Sequence, residues 1–142
     1  MNRAQIVAAA RGWIGTRYHH QASVRGIGCD CLGLVRGIWR ELIGPEPEIA
    51  PPYTPDWAEA CQRETLLEAS ARNFVEADEI RPGTMLIFRW KTLMPAKHCG
   101  IASDDGRFIH AHDSAGRVVE VSLSKPWARR IAAKFDFPGV TD

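Results

Sequence analysis

Cys31 stands in the run Gly28-Cys29-Asp30-Cys31-Leu32-Gly33-Leu34-Val35, where a glycine-punctuated loop gives way to a stretch of helical period. Asp30 is a favoured N-cap type, which places Cys31 in the first helical turn. Unpaired backbone N–H groups and the positive end of the helix dipole favour a thiolate there, so the cysteine becomes a nucleophile near neutral pH. A thiolate attacking an amide also needs a general acid for the leaving amine, and histidine is the usual choice. Five histidines are present, His19, His20, His98, His110 and His112. If Asp104-Asp105-Gly106 forms a three-residue loop with Gly106 left-handed, Ser103 pairs with Arg107, Gly100 lies opposite His110, and His98 lies opposite His112. The last three histidines then share one face of a hairpin; a loop one residue longer or shorter separates His98 from His110. With His98 and His110 on neighbouring strands, one acts as base and acid for Cys31 while the other holds its ring through the second nitrogen.

The same atoms have blander uses. Most free cysteines in soluble proteins are small buried hydrophobes, and a lone strand histidine is usually structural. Two histidines on one face together with a helix-capping cysteine favour chemistry. Zinc is the competing use, since Cys29, Cys31, His98, Cys99, His110 and His112 are all ligand types. One residue between Cys29 and Cys31 is too short for the usual ligand spacing, and strand alternation turns Cys99 away from His98 and His110. A thiol mechanism without metal or cofactor is the expectation.

These residues need elements to hold them. Asn2 is a suitable N-cap for a first helix carrying Ile6, Ala9, Ala10 and Trp13 on one face, with Gly15 ending it. Cys31, Leu34, Val35, Ile38, Trp39 and Leu42 form a second apolar stripe, stopped by Gly44 and Pro45. Five prolines between residues 45 and 55 predict an extended connector. Asp56 with Glu59 then resembles a capping box opening a third helix towards Phe74. From Arg81 onward Thr84 to Trp90, His98 to Ser103, Arg107 to His112, Val118 to Leu123 and Ala128 to Phe135 read as short strands. Helices first and consecutive strands afterwards predict an α+β fold, with N-terminal helices packed on a mainly antiparallel sheet of about five strands.

The chain has 142 residues, enough for one domain spanning 1–142 to bury roughly 70% of its unfolded surface without disulfides or metals. Eighteen basic against 17 acidic residues give a net charge of +1. A balance so close to zero provides no field to attract nucleic acid or anionic lipid. No apolar run has the form of a signal peptide or a membrane span, which predicts synthesis in the cytoplasm without membrane insertion. Four cysteines, at 29, 31, 61 and 99, are too sparse for a secreted disulfide scaffold.

Five segments in order resemble the NlpC-type cell-wall peptidases, papain-like cysteine enzymes acting on peptide stems of bacterial peptidoglycan. They are Gly15-Thr16-Arg17-Tyr18, Asp30-Cys31-Leu32-Gly33-Leu34-Val35, Arg81-Pro82-Gly83, His98-Cys99-Gly100-Ile101 and Phe108-Ile109-His110-Ala111. The resemblance implies a papain-like fold, Cys31 as nucleophile, His98 as its base and His110 as the residue orienting His98. It also implies Tyr18 as a partner of the Cys31 backbone N–H in stabilising an oxyanion. The expected reaction is hydrolysis of an amide in stem peptides, the D-glutamyl-diaminopimelate bond being the one the family favours. Departures are Arg17 where proline is common, Thr84 where Asp is common, and Cys99 in place of a β-branched residue; none removes a catalytic atom. Compact domains of this kind without an export signal resemble peptidases on the tails of phages and gene transfer agents. That likeness implies phage-like tail or baseplate partners and action in the periplasm or cell wall. The alternatives are a wall amidase or acyltransferase on the same scaffold, and a tail component that binds glycan without cleaving it.

Overall fold

The computed structural model describes residues 1–48 and 63–142. Asp56, Glu59, Cys61 and most of the proline-rich connector lie outside the described residues.

Helix α1 (Arg3–Arg11) begins with a full capping box: Asn2 accepts from the Gln5 backbone N–H while the Gln5 side chain accepts from that of Asn2. Ile6, Ala9 and Ala10 are buried on one face, as the periodicity predicts. The helix ends at Arg11, four residues before Gly15. The Trp13 and Ile14 N–H groups tighten onto the carbonyls of Ala10 and Arg11, and Trp13 is buried from this turn. The loop after it contains a hairpin absent from the sequence reading, β1 (Ser23–Val24) paired with β2 (Gly28–Cys29).

Helix α2 (Cys31–Leu42) starts where expected. Asp30 Oδ1 accepts from the Gly33 N–H at 2.7 Å, while Leu34, Val35, Ile38 and Trp39 are buried. Its exit passes through Gly44 at φ +144°, a conformation open to glycine. Helix α3 (Thr65–Asn73) ends at Phe74 as predicted, but within the described residues it begins only after Glu64. Strand β3 (Val75–Glu76) follows.

The remaining strands are β4 (Met85–Phe88), β5 (His98–Ala102), β6 (Arg107–His112) and β7 (Arg117–Ser122). Beyond them come a short helix α4 (Lys125–Ala128) and β8 (Ile131–Asp136). One six-stranded sheet has the order β3-β8-β4-β5-β6-β7, with every recorded pair antiparallel. The α+β expectation therefore holds, with one strand more than five. The last strand starts three residues later than predicted because Pro126 fits the first turn of α4.

Alternation along the strands builds two cores. Met85, Ile87, Cys99, Ile101, Ile109 and Ala111 pack with Ile6, Ala10, Leu34 and Ile38 beneath the helices. Leu86, Phe88, Ala102 and Phe108 pack on the other side with Leu123, Trp127 and Ile131. Two partly buried charge clusters fix α1. Arg3 pairs with Asp136, which also accepts from Thr84 Oγ1, and Arg11 forks onto Glu120, which accepts from Ser103 Oγ. No helix among the described residues is long and apolar enough to cross a membrane.

Candidate active site

The β5–β6 hairpin sets the histidines. The Ser103 N–H donates to the Arg107 carbonyl at 2.8 Å, and Ile101 pairs with Ile109 and Ala102 with Phe108. Gly106 is left-handed at φ +67°, as the register requires; Asp105 is also left-handed, at +57°, a region Asp tolerates. Carried back along the strand, this register places Gly100 opposite His110 and His98 opposite His112. The three rings do cluster on the face shared with Phe88, Phe108 and Trp127, with His98 and His110 centroids 5.0 Å apart. Gly100 is required here, because a Cβ would come within 2.9 Å of the Ile109 carbonyl and 3.1 Å of the His110 Cβ.

His98 Nε2 lies 2.8 Å from His110 Nδ1, and both rings are buried. Burial, reinforced by the neighbouring charges of His98 and His112, pushes His110 down to about 3, so it stays neutral. A neutral His110 with its proton on Nε2 can only accept at Nδ1. With that tautomer of His110, His98 donates from Nε2 and its Nδ1 is left to take and return a proton. Trp90 stacks on the His98 ring, 5.1 Å between centroids and 27° between planes.

Helix α2 begins over the start of β5, and Cys99 and His98 lie near enough there to act on the ionisation of Cys31. These two neighbours, with the charge of His98, outweigh burial and the nearby Asp30 carboxylate and bring the Cys31 thiol down from its ordinary 9.0 to about 5. The sulfur also lies 3.9 Å from the Lys97 carbonyl oxygen. Cys31 is partly exposed in a cleft walled by Tyr18, Asp30, Leu32, Leu66, Trp90, Lys97 and His112. Tyr18 is half-buried, and burial, with the charges of Cys31 and Asp30, raises its hydroxyl so that it remains a donor. Of the four residues singled out from the sequence, Tyr18, Cys31 and His98 thus line one cleft, and His110 lies buried against His98. A thiolate, an imidazole proton carrier and a hydroxyl donor on one side of an open cleft can attack and cleave a carboxamide.

Three neighbours escaped the sequence reading. Trp90 lies outside any strand and Trp127 in a short helix, so neither carries a periodic signal. Cys99, expected to lie clear of the site, is buried in the cluster against which Cys31 packs. Among the described residues no set of three or more His, Cys, Asp or Glu side chains is arranged to hold a metal. His20 and Asp30 approach within 3.9 Å at the cleft rim.

Residues 15–135 match the NlpC/P60 family. The chain belongs to that family. Similar proteins include the Escherichia coli murein DD-endopeptidase MepS/murein LD-carboxypeptidase, 26% identical over 90% of this chain and 59% of that protein. The probable endopeptidase NlpC of Escherichia coli is 29% identical over 75% of this chain and 59% of that protein. The chain thus spans about three fifths of the length of each relative. Among solved structures, the NlpC/p60 domain of the peptidoglycan hydrolase SagA aligns over 87% of this chain and 91% of its own at TM-score 0.59 and 25% identity. An NlpC/P60 family protein from Bacillus cereus reaches TM-score 0.68 over 96% of this chain and 40% of its own, at 18% identity, a likeness of fold.

The buried neutral His110 has a consequence for acid stability. Its folded-state value near 3 lies below the ordinary 6.5, so in that window the unfolded chain binds a proton that the folded one refuses. Its contribution to stability is complete above pH 6.5 and is lost as pH falls towards 3, by several kcal/mol over the window. His110→Asn, which retains a polar side chain, should flatten the fall in melting temperature across that range relative to the unmutated protein.

Proposed function

We propose that this chain is a cysteine peptidase that hydrolyses an amide in the stem peptides of peptidoglycan. The observation carrying the reading is the set in which Cys31, at the head of α2, and His98 line one cleft and His98 Nε2 sits 2.8 Å from His110 Nδ1. The murein endopeptidase and peptidoglycan hydrolase names of the relatives supply the substrate class.

In the proposed reaction the Cys31 thiolate attacks the scissile carbonyl carbon and a C–S bond forms. The oxyanion is met by the Cys31 backbone N–H and the Tyr18 hydroxyl. His98 gives its proton to the leaving nitrogen, the C–N bond breaks, and a thioester remains. Water then attacks the thioester while His98 takes its proton; the C–S bond breaks and the thiolate returns. His110, neutral throughout, accepts from His98 Nε2 and stabilises the imidazolium between these steps.

The finer part of the proposal is the D-glutamyl-diaminopimelate bond. The Escherichia coli relative carries the names DD-endopeptidase and LD-carboxypeptidase instead, so the products must decide. Purified protein incubated with sacculi should release fragments whose masses end at D-glutamate, with a new amine on diaminopimelate. Release by cleavage at another bond would overturn the bond assignment, and intact sacculi would overturn the hydrolase reading. Carriage on a phage-like tail, which would bring the domain to the wall, rests on the motif resemblance; detection of the protein in purified particles tests it.

A further inference from the structure

Residues 15–18 run antiparallel along the outer edge of β7. The Gly15 N–H donates to the Val118 carbonyl at 3.0 Å, the Val118 N–H to that of Thr16 at 2.9 Å and the Tyr18 N–H to that of Gly116 at 2.9 Å. The last two bonds flank Arg17 and Arg117, which stand directly opposite each other. In a pair flanked this way the opposing side chains approach most closely. Arg117 is also opposite His112 of β6. Opposing residues share a face, so His112, Arg117 and Arg17 form one row across β6, β7 and the segment beside it. His112 lines the cleft that holds Cys31, and the two arginines continue the row outward from its rim.

Like charges directly opposite each other weaken a sheet. Arg17 and Arg117 are both exposed, and among the described residues neither is paired with a carboxylate. Arg63, Arg72 and Arg107, equally exposed, each have such a partner. Asp113, in the turn between β6 and β7, instead lies 3.7 Å from His112 Nε2 and accepts from the Ser114 N–H. A cationic pair kept without a counter-charge beside an open cleft is poised to receive an anion. Guanidinium forks suit a planar carboxylate, to which each can give two parallel N–H bonds. D-Glutamate and diaminopimelate are both diacids, so stem peptides built on them keep free carboxylates beside their amides.

We propose that Arg17 and Arg117 form an anion subsite at the rim of the cleft, which takes a free carboxylate of the stem peptide and so orients the peptide over Cys31. The proposal rests on the peptidoglycan reading of the cleft.

The test is the affinity of a soluble stem peptide containing D-glutamate and diaminopimelate, measured by calorimetry in the Cys31→Ala background, where no turnover occurs. The same peptide with its free carboxylates amidated is the comparison. Adding Arg17→Gln and Arg117→Gln together should weaken the charged peptide about tenfold and leave the amidated one unchanged. Arg17→Lys with Arg117→Lys keeps the charge without the fork and should recover only part of the loss. No binding by the parent, equal affinity of parent and double glutamine variant for the charged peptide, or an equal loss for both peptides overturns the proposal. If the double variant loses affinity for inorganic phosphate alone, the pair reads phosphate and the carboxylate assignment falls. Removing either arginine relieves repulsion, so the melting temperature should hold or rise; a marked fall in both single variants would show a structural role and overturn the proposal. Arginine-dependent binding in a protein that releases nothing from sacculi counts against the hydrolase reading alone. Release from sacculi with arginine-independent binding counts against the subsite alone.

Discussion

Cys31→Ala should lower muropeptide release from sacculi by on the order of a thousandfold or more while the melting temperature changes little at mildly acidic pH. The two halves of this expectation have separate causes. Cys31 is partly exposed at the first position of α2, where alanine is a good helix former and leaves no enclosed cavity. The covalent step, by contrast, has no substitute: His98 and Tyr18 remain, but no atom is left to form the thioester. Cys31→Ser should be almost as inactive, because the surroundings that bring a thiol down to about 5 cannot ionise a hydroxyl at neutral pH. Activity within tenfold of the unmutated protein in either variant would refute the mechanism.

The same shift predicts how the stability of Cys31→Ala tracks pH. With Cys31 near 5 in the folded chain against an ordinary 9.0, the unfolded chain holds a proton that the folded one has released. The thiolate's contribution is complete above pH 9 and is lost as pH falls towards 5. Cys99 adds no opposing slope inside that window, since both states keep its proton there. The melting temperature of the unmutated protein should therefore gain on that of Cys31→Ala as pH is raised through the window.

Where local rules suffice, the chain is legible. An Asp cap ahead of an apolar stripe located Cys31 on its helix, and the three-residue Asp104-Asp105-Gly106 loop set the register that clusters His98, His110 and His112. Both features need only a few consecutive residues. Cys99 shows the limit of such rules. Alternation correctly turns it under the helices while His98 faces the aromatic cluster, yet only tertiary packing decides that the first turn of α2 lands at the start of β5, where both neighbours can reach Cys31. Val75–Glu76 and the Ser23–Val24 hairpin are two-residue strands, too short for alternation to register. The early end of α1 is another tertiary choice: Trp13 is buried either way, and its ring fills the space beside Gly37 from a turn instead of a helix.

Gly33 joins the fold to the chemistry, and Gly33→Ala carries the second large expected effect. Intrinsic propensity alone favours alanine within a helix by about 1 kcal/mol. Packing reverses the sign. A Cβ at residue 33 would lie 1.9 Å from the Ala22 carbonyl oxygen and 3.1 Å from Asp30 Oδ1. The obstructing atom is backbone, in a loop held by the bond from the Asp30 N–H to that same carbonyl and by the Gln21 N–H donating to Asp30 Oδ2. Relief requires α2 to move away from the segment that leads into β1, which breaks the Asp30 cap that accepts from the Gly33 N–H at 2.7 Å. Overpacking together with loss of a cap costs about 3 kcal/mol or more. The displaced helix end also carries Cys31 away from Cys99 and His98, so the pH midpoint of its alkylation by iodoacetamide should rise along with the loss of stability. Chemical denaturation and the alkylation profile, measured on one preparation, check both effects. A Gly33→Ala variant as stable as the unmutated protein would show that the loop yields freely, and that the close approach of α2 to Ala22 does not hold the nucleophile in place.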